Sequence, residues 1–203
     1  AGCDLLFAPT ARVMYPAGFD LTVHVGGPSA GLETDFRPHF FDGVATVVAK
    51  LFNQVRPDIA VFGEKDYQQL LVVTRLAADL DHGVDIVPAP ILREPDGLAM
   101  SSRNAYLSKE DRQRAARLYA ILTGMVTGLE AGTSIETAQA EAIRAARLAF
   151  DSVDYIEARC ASTLATLPAG PLERPARILA AVKLGSTRLI DNLAASPLAQ
   201  ATR

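Results

Sequence analysis

Two short stretches carry residue types suited to chemistry on an anionic substrate. The first is Gly63-Glu64-Lys65-Asp66-Tyr67-Gln68-Gln69. Gly63 lets a ligand come close to the backbone. Lys65 places a cation at a helix N-terminus, where anions already bind well, and Asp66 suits the N-cap. The second stretch is Met100-Ser101-Ser102-Arg103-Asn104. Its hydroxyls can donate to phosphate oxygens, its guanidinium can grip them bidentately, and Asn104 can hold the turn. This second stretch suits a polyphosphate. Each also has a plainer reading: a solvated lysine turn with a backbone-satisfied glutamine, and a polar loop ahead of a helix.

Helical spacing separates the two glutamines. Gln69, Val73, Leu76 and Leu80 fall on one face, while Gln68 falls with Val72, Arg75 and Asp79 on a more polar one. This predicts Gln69 turned inward at the mouth of a site and Gln68 turned outward. An amide on an apolar face needs a partner, and a substrate is one.

These residues need strands and helices to hold them. Ile59-Ala60-Val61-Phe62 reads as a buried parallel strand, Leu70 to Leu80 as a helix, and Val84-Asp85-Ile86-Val87 as the next strand, with Pro88 and Pro90 stiffening its exit. Strand, glycine, charged turn and helix is how α/β proteins build sites at the carboxyl ends of parallel strands. The order implies a parallel sheet with helices on both faces. Upstream, Leu5-Leu6-Phe7-Ala8-Pro9 reads as a core strand ending in a turn, so the chain is expected to open partway into a buried sheet. Leu21 to Val25 alternates like a second, more exposed strand, with His24 on its surface. Gly31 to Arg37 reads as a loop in which Glu33 and Arg37 pair if one turn is helical. Asp42 is expected to cap a helix running to Val55 and ended by Pro57.

Arg93 to Gly97 reads as a turn and a hinge between domains. After it, Ser108 begins a capping box, and Ala115, Leu118, Leu122, Met125 and Leu129 share a helix face that Gly132 ends. A second helix follows from Thr133 to near Phe150. Three strands, Val153–Glu157, Arg177–Val182 and Thr187–Asp191, complete a small α+β domain with an antiparallel sheet. The chain from Ala195 onward is expected to fray.

Composition bounds the function. The 203 residues are 49% apolar and 21% charged with net charge -3, which is ordinary for a globular protein and gives no electrostatic case for nucleic acid or membrane. No apolar run is long enough to span a bilayer. Cys3 and Cys160 match no zinc or disulfide framework and read as buried free thiols in a reducing cytoplasm.

Phe62 to Gln69, followed by Asp96-Gly97-Leu98-Ala99-Met100-Ser101-Ser102-Arg103-Asn104, closely resembles the pantoate–β-alanine ligase (pantothenate synthetase) family. The resemblance extends along the chain to Arg37-Pro38, Asp42-Gly43-Val44 and the closing Leu184-Gly185-Ser186-Thr187-Arg188-Leu189-Ile190-Asp191-Asn192. It implies an α/β fold: the remainder of a Rossmann-like parallel-sheet domain that binds nucleotide and pantoate, residues 1–91, followed by a small α+β lid domain, residues 92–203. It implies ATP-dependent joining of pantoate to β-alanine through pantoyl adenylate, with Mg2+, releasing AMP and pyrophosphate. It further implies a homodimer in the cytoplasm. By resemblance Gly63, Glu64, Lys65, Asp66, Leu92, Met100, Ser101, Ser102 and Arg103 bind ATP, with Lys65 and Arg103 catalytic. Gln69 binds pantoate, and Glu33 and Arg37 line the site.

Two departures stand out. The family's upstream His-x-Gly-His motif and a further substrate-binding glutamine are not among these residues, so the chain is expected to lack an N-terminal segment and to be inactive by itself. The family's Arg-Pro-Gly-His-Phe is Arg37-Pro38-His39-Phe40-Phe41 here, which leaves His39 without an assigned role. A non-catalytic nucleotide-binding or dimerisation fragment of such an enzyme, or another adenylyl-transferring enzyme of the superfamily, are the competing readings.

Overall fold

The computed structural model describes residues 2–197. The fold is α/β, with a parallel two-stranded sheet and an antiparallel three-stranded one. The parallel pair is β1, Ile59–Gly63, and β2, Asp85–Ala89, in register from Ile59 opposite Asp85 to Gly63 opposite Ala89. Before it come short helices α1, Ala11–Met14, and α2, Glu33–Phe36, then the long α3, Phe40–Val55. Helix α4, Tyr67–Asp79, connects the parallel strands. Phe41, Ala45, Val48 and Phe52 of α3 and Val72, Val73 and Leu76 of α4 pack with Ala60, Phe62, Val84 and Ile86 on one face of the sheet.

The other face is bare. Ile59 is 60% and Val61 64% exposed. The expected helices on both sides, and a β1 buried throughout, are corrected on this point: every residue of the run is apolar, but only alternate ones meet packing partners among the described residues. Leu5, Leu6 and Phe7 are likewise exposed and form no strand, and Leu21–Val25 is not a strand either. There the backbone runs along α3, where Val23 N–H donates to Thr46 Oγ1 at 2.9 Å, so the alternation reflects one row of contacts to a helix. Helix α3 starts two residues before Asp42. His39, at φ 64°, holds its N-cap position without a side-chain capping bond, and Asp42 in the first turn accepts from His24 Nδ1 at 2.7 Å.

The second half follows the expected order. Helices α5, Lys109–Ala115, α6, Arg117–Glu130, and α7, Ile135–Ala149, precede β3, Ser152–Cys160, β4, Ala176–Leu184, and β5, Thr187–Ala195. Ser108 and Ser134 cap α5 and α7 by accepting from Asp111 and Thr137 N–H groups. Leu118, Leu122, Met125 and Leu129 of α6 are buried against Ile156, Ile178, Ala180 and Val182 of the sheet. The strand order is β3-β4-β5. The opposite sheet face, through Tyr155, Leu179, Ala181 and Ile190, packs on Leu32 and on Tyr67 and Leu71 at the start of α4. The three-stranded sheet is therefore sandwiched between its own helices and the first half of the chain. Its central strand β4 is apolar from Ile178 to Val182 and buried on both faces there for that reason.

Two further expectations are corrected. Ala195 is not frayed: it ends β5 opposite Ala176 and is buried, while residues 198–203 lie outside the described residues. Neither cysteine is buried; Cys3 is exposed and Cys160 half-buried, both as free thiols. Hydrogen bonding from Thr163, and then from Ser162, lowers the Cys160 thiol pKa to about 7.

Candidate functional site

At Gly63 the chain leaves β1, makes a 3-10 turn over Glu64–Asp66 and enters α4. A Cβ at Gly63 would have no heavy atom within 4 Å, so the glycine leaves open space beside the strand end. Next to this turn lies a cavity of about 320 Å³, of a size that suits a small-molecule site. Its wall combines Lys65, Asp66, Gln68 and Gln69 with Glu33, Arg37, Phe40 and Phe41. Arg103 closes it from one side, and Tyr155, Leu179, Arg188, Ile190, Asp191 and Asn192 contribute from the three-stranded sheet.

Of the residues expected from sequence, Lys65, Asp66, Gln69, Arg103, Glu33 and Arg37 are brought together around this cavity. Ser101 meets Lys65 in a small adjoining crevice, and its Oγ accepts from Arg103 N–H at 3.2 Å. Gly63, Glu64, Leu92, Met100 and Ser102 stand outside the wall. The Glu64 carboxylate turns to Arg177 at 3.3 Å, and Leu92 is 70% exposed beside Met100, whose N–H donates to the Leu92 carbonyl. Asp66 occupies the N-cap position of α4 as expected but makes no capping bond, so its carboxylate stays available at the cavity.

The glutamine assignment changes. Gln68 is not outward: it is 3% exposed. Its Oε1 accepts from Glu33 N–H at 3.1 Å, and its Nε2 donates to the carbonyls of Pro28 and Gly31 at 3.0 and 3.2 Å. Arg75 and Asp79 of that face are exposed as expected, but at Gln68 the turn at residues 27–33 lies across it, which no helical spacing within α4 reveals. Gln69 is half-buried in the cavity wall, and among the described residues its amide makes no hydrogen bond. Both glutamines are thus inward, one spent on the chain and one available. Gln68→Ala is expected to lower stability by about 1–3 kcal/mol through the orphaned Glu33 N–H and carbonyls. Gln69→Ala should leave stability unchanged. Urea denaturation of the two variants checks this, and equal losses would contradict it.

Charge pairing divides the wall. Glu33 is buried; Arg188 Nη1 donates to both its oxygens at 2.8 Å, and Tyr155 Oη donates to Oε1 at 2.7 Å. Arg37 adds a longer contact at 3.8 Å, the helical-turn pairing expected from their spacing. Arg188 Nε also donates to Asp154 at 2.7 Å. Burial, with the Glu33 charge beside it, pushes the Tyr155 hydroxyl well above the usual tyrosine range, so it stays a donor. Asp191 is held by Arg93 in two bonds at 2.7 and 2.9 Å. Lys65 and Arg103 form no ion pair among the described residues. Burial holds the Lys65 ammonium below the ordinary lysine value of 10.5, opposed by Asp66 and reinforced by Arg103. Two cations without an ion-pair partner among the described residues therefore share one cavity, an arrangement whose chemistry suits a polyanion.

Comparison with known proteins identifies the family. The family model described as Pantoate-beta-alanine ligase matches residues 1–194. The chain belongs to the pantoate–β-alanine ligase family. It is 58% identical over 197 residues to the pantothenate synthetase of Maricaulis maris, covering 97% of this chain and 68% of that protein. It is 55% identical over 193 residues to that of Rhodopseudomonas palustris, covering 94% and 68%. Among solved structures, pantothenate synthetase from Thermus thermophilus superposes with a TM-score of 0.87 at 47% identity, covering 95% of this chain and 70% of that one. The pantoate-beta-alanine ligase from Francisella tularensis, complexed with beta-gamma ATP and beta-alanine, gives a TM-score of 0.68 at 30% identity, covering 90% and 61%.

As a member of the pantoate–β-alanine ligase family the chain is a ligase, and the sheet residues of its cavity are what sequence reasoning missed. Arg188, Asp191 and Asn192 lie in the closing Leu184–Asn192 motif, but nothing local says that a strand over 100 residues downstream returns to Lys65. The available signal was chemical: Arg188, Asp191 and Asn192 interrupt an otherwise mostly apolar strand, and polar groups taken inside with it require partners.

Proposed function

We propose that this cavity is where pantoate is activated by ATP and joined to β-alanine. The observation that carries the reading is the convergence of Lys65 and Arg103, unpaired and on separate loops, beside the free amide of Gln69. In this reading the Gln69 amide hydrogen-bonds pantoate. Its carboxylate oxygen attacks the α-phosphorus of ATP, the bond from that phosphorus to the bridging oxygen breaks, and pyrophosphate leaves with the electron pair. Lys65 and Arg103 neutralise the charge that spreads over the phosphoryl oxygens. Gly63, Glu64, Asp66, Ser101 and Ser102 surround the nucleotide, and Leu92 and Met100 flank its base. The β-alanine amine then attacks the acyl carbon of pantoyl adenylate, the amide forms, AMP leaves and the ammonium proton is lost. The bound beta-gamma ATP and beta-alanine of the Francisella relative support the choice of substrates.

Mg2+ fits the residues present in a limited sense. No group of three metal-ligating side chains occurs among the described residues, and Asp66 is the carboxylate left free at the cavity. That suits an ion bound chiefly by phosphates and water, with a protein carboxylate at most. When bound, Mg2+ would neutralise the leaving pyrophosphate. We further propose a division at residues 1–91 and 92–203, a homodimer, and a cytoplasmic location; no helix among the described residues is long and apolar enough to cross a membrane.

The test is exchange of labelled pyrophosphate into ATP by the purified enzyme. Exchange is expected with pantoate and not with hydroxy acids lacking its branched carbon, and AMP release should require β-alanine. Equal exchange with unrelated carboxylates would point to another adenylyl-transferring enzyme.

A further inference from the structure

The Lys65 turn and the loop leading to Arg103 come from distant parts of the chain, yet both are tied to two consecutive residues of β5. Asn192 is 2% exposed, and all its side-chain hydrogen-bonding groups are engaged. Its Nδ2 donates to the carbonyls of Glu64 and Lys65 at 2.9 and 3.0 Å, and its Oδ1 accepts from Arg177 Nε at 2.5 Å. Arg177 also reaches the Glu64 carboxylate and lies 4.1 Å over the Tyr67 ring, so the turn is held by side chain and backbone together. Asp191, alternating to the other face of β5, grips Arg93 bidentately, and Arg93 Nη1 also donates to the Gly97 carbonyl at 3.0 Å. Gly97 has φ 90°, and a Cβ there would fall 2.3 Å from the Tyr119 ring, so only glycine fits at this point of the loop that leads to Ser101–Arg103. Asp191 Oδ1 accepts from Asn192 N–H at 2.7 Å, coupling the two grips.

We propose that Asp191 and Asn192 are positioning residues that set the placement of Lys65 relative to Arg103, with Asn192 acting through the Lys65 turn. Neither needs to touch substrate for this. Asn192 fixes two peptide carbonyls at the very residue whose ammonium meets the phosphates, and a small displacement of such a group costs rate out of proportion to stability. The proposal rests on the assignment of Lys65 to the phosphates.

The experiment is a double-mutant cycle in the purified enzyme, read by pyrophosphate exchange. Asn192→Asp keeps the size and the acceptor for Arg177 but removes both donors. It is expected to lower exchange kcat about tenfold, the size of effect two lost buried hydrogen bonds can have, with the KM for pantoate little changed. In a Lys65→Ala background the same substitution should add almost nothing, because its effect passes through Lys65. Full multiplication of the two losses would overturn the proposal while leaving Lys65 in its role. Undiminished exchange in Lys65→Ala alone would overturn both. If Asn192→Asp folds poorly, Asp191→Asn, which keeps shape and one acceptor, is the second variant. Its expected signature is a kcat loss that disappears in an Arg103→Ala background, and a loss that persists there overturns the coupling.

Discussion

Lys65→Ala is expected to slow pyrophosphate exchange by about 30- to 1,000-fold, or ~2–4 kcal/mol in the barrier, the range for removing one preorganised charge stabiliser. The fold should survive, since the Lys65 side chain makes no hydrogen bond or ion pair among the described residues and the turn is held through its backbone carbonyls. Thermal melting of the variant should therefore match the parent. A pH profile supplies an independent reading. Burial lowers the Lys65 pKa, so its ammonium deprotonates below 10.5 in the free enzyme. The alkaline limb of kcat/KM for ATP, which reports free-enzyme ionisations, should then fall below that value. Lys65→Arg, which does not titrate in this range, should move the limb upward even if its rate is lower. Near-parental exchange by Lys65→Ala would remove the phosphate assignment.

Arg188→Met should be the most destabilising single change in the site. It leaves the buried Glu33 carboxylate with the Tyr155 hydroxyl and a distant Arg37 at 3.8 Å, and the buried Asp154 carboxylate with only Lys183 at 3.7 Å, so neither charge keeps a close cation. Removing one partner of a buried ion pair typically costs ~3–5 kcal/mol. Urea denaturation should show a loss of that order. Adding Glu33→Gln should recover part of it, because one stranded charge is then gone. A loss below about 1 kcal/mol would mean that cavity water solvates Glu33 well enough to make the pair dispensable.

How much of this was legible in the sequence differs by scale. The elements of the second half were readable because their cues are local: Ser108 and Ser134 as caps, Gly132 as a stop, and the buried stripe from Leu118 to Leu129. The β1–turn–α4 unit was readable for the same reason. The failures share one cause. Leu21–Val25 alternates as a strand does, but its contacts are to α3. Gln68 sits on what looks like the polar side of α4, but the residue 27–33 turn covers it. Ile59 and Val61 are as apolar as any core strand, yet face no described neighbour. Each depends on what lies across from the residue, and spacing along one element does not contain that. The site divides the same way. Lys65, Gln69 and Arg103 announce themselves through residue type and turn chemistry, whereas Arg188, Asp191 and Asn192 acquire meaning only once β5 is laid against the start of α4.

The polar residues on β5 have a second consequence, for the chain before it is folded. Strand β5 is an edge of the three-stranded sheet and pairs with β4 through a tight turn at Gly185, so the hairpin can form locally and early. Ile178 to Val182 of β4 is an uninterrupted apolar stretch of the kind that stacks into intermolecular sheets. Arg177 and Lys183 flank that stretch, and Arg188 and Asp191 break up its neighbour. While the hairpin is exposed these charges stay hydrated and oppose pairing with other chains, as gatekeepers do. Docking then places Arg177, Arg188 and Asp191 against Glu64, Glu33 and Arg93. Neutralising any of them should therefore raise aggregation during refolding even where the native state tolerates the change.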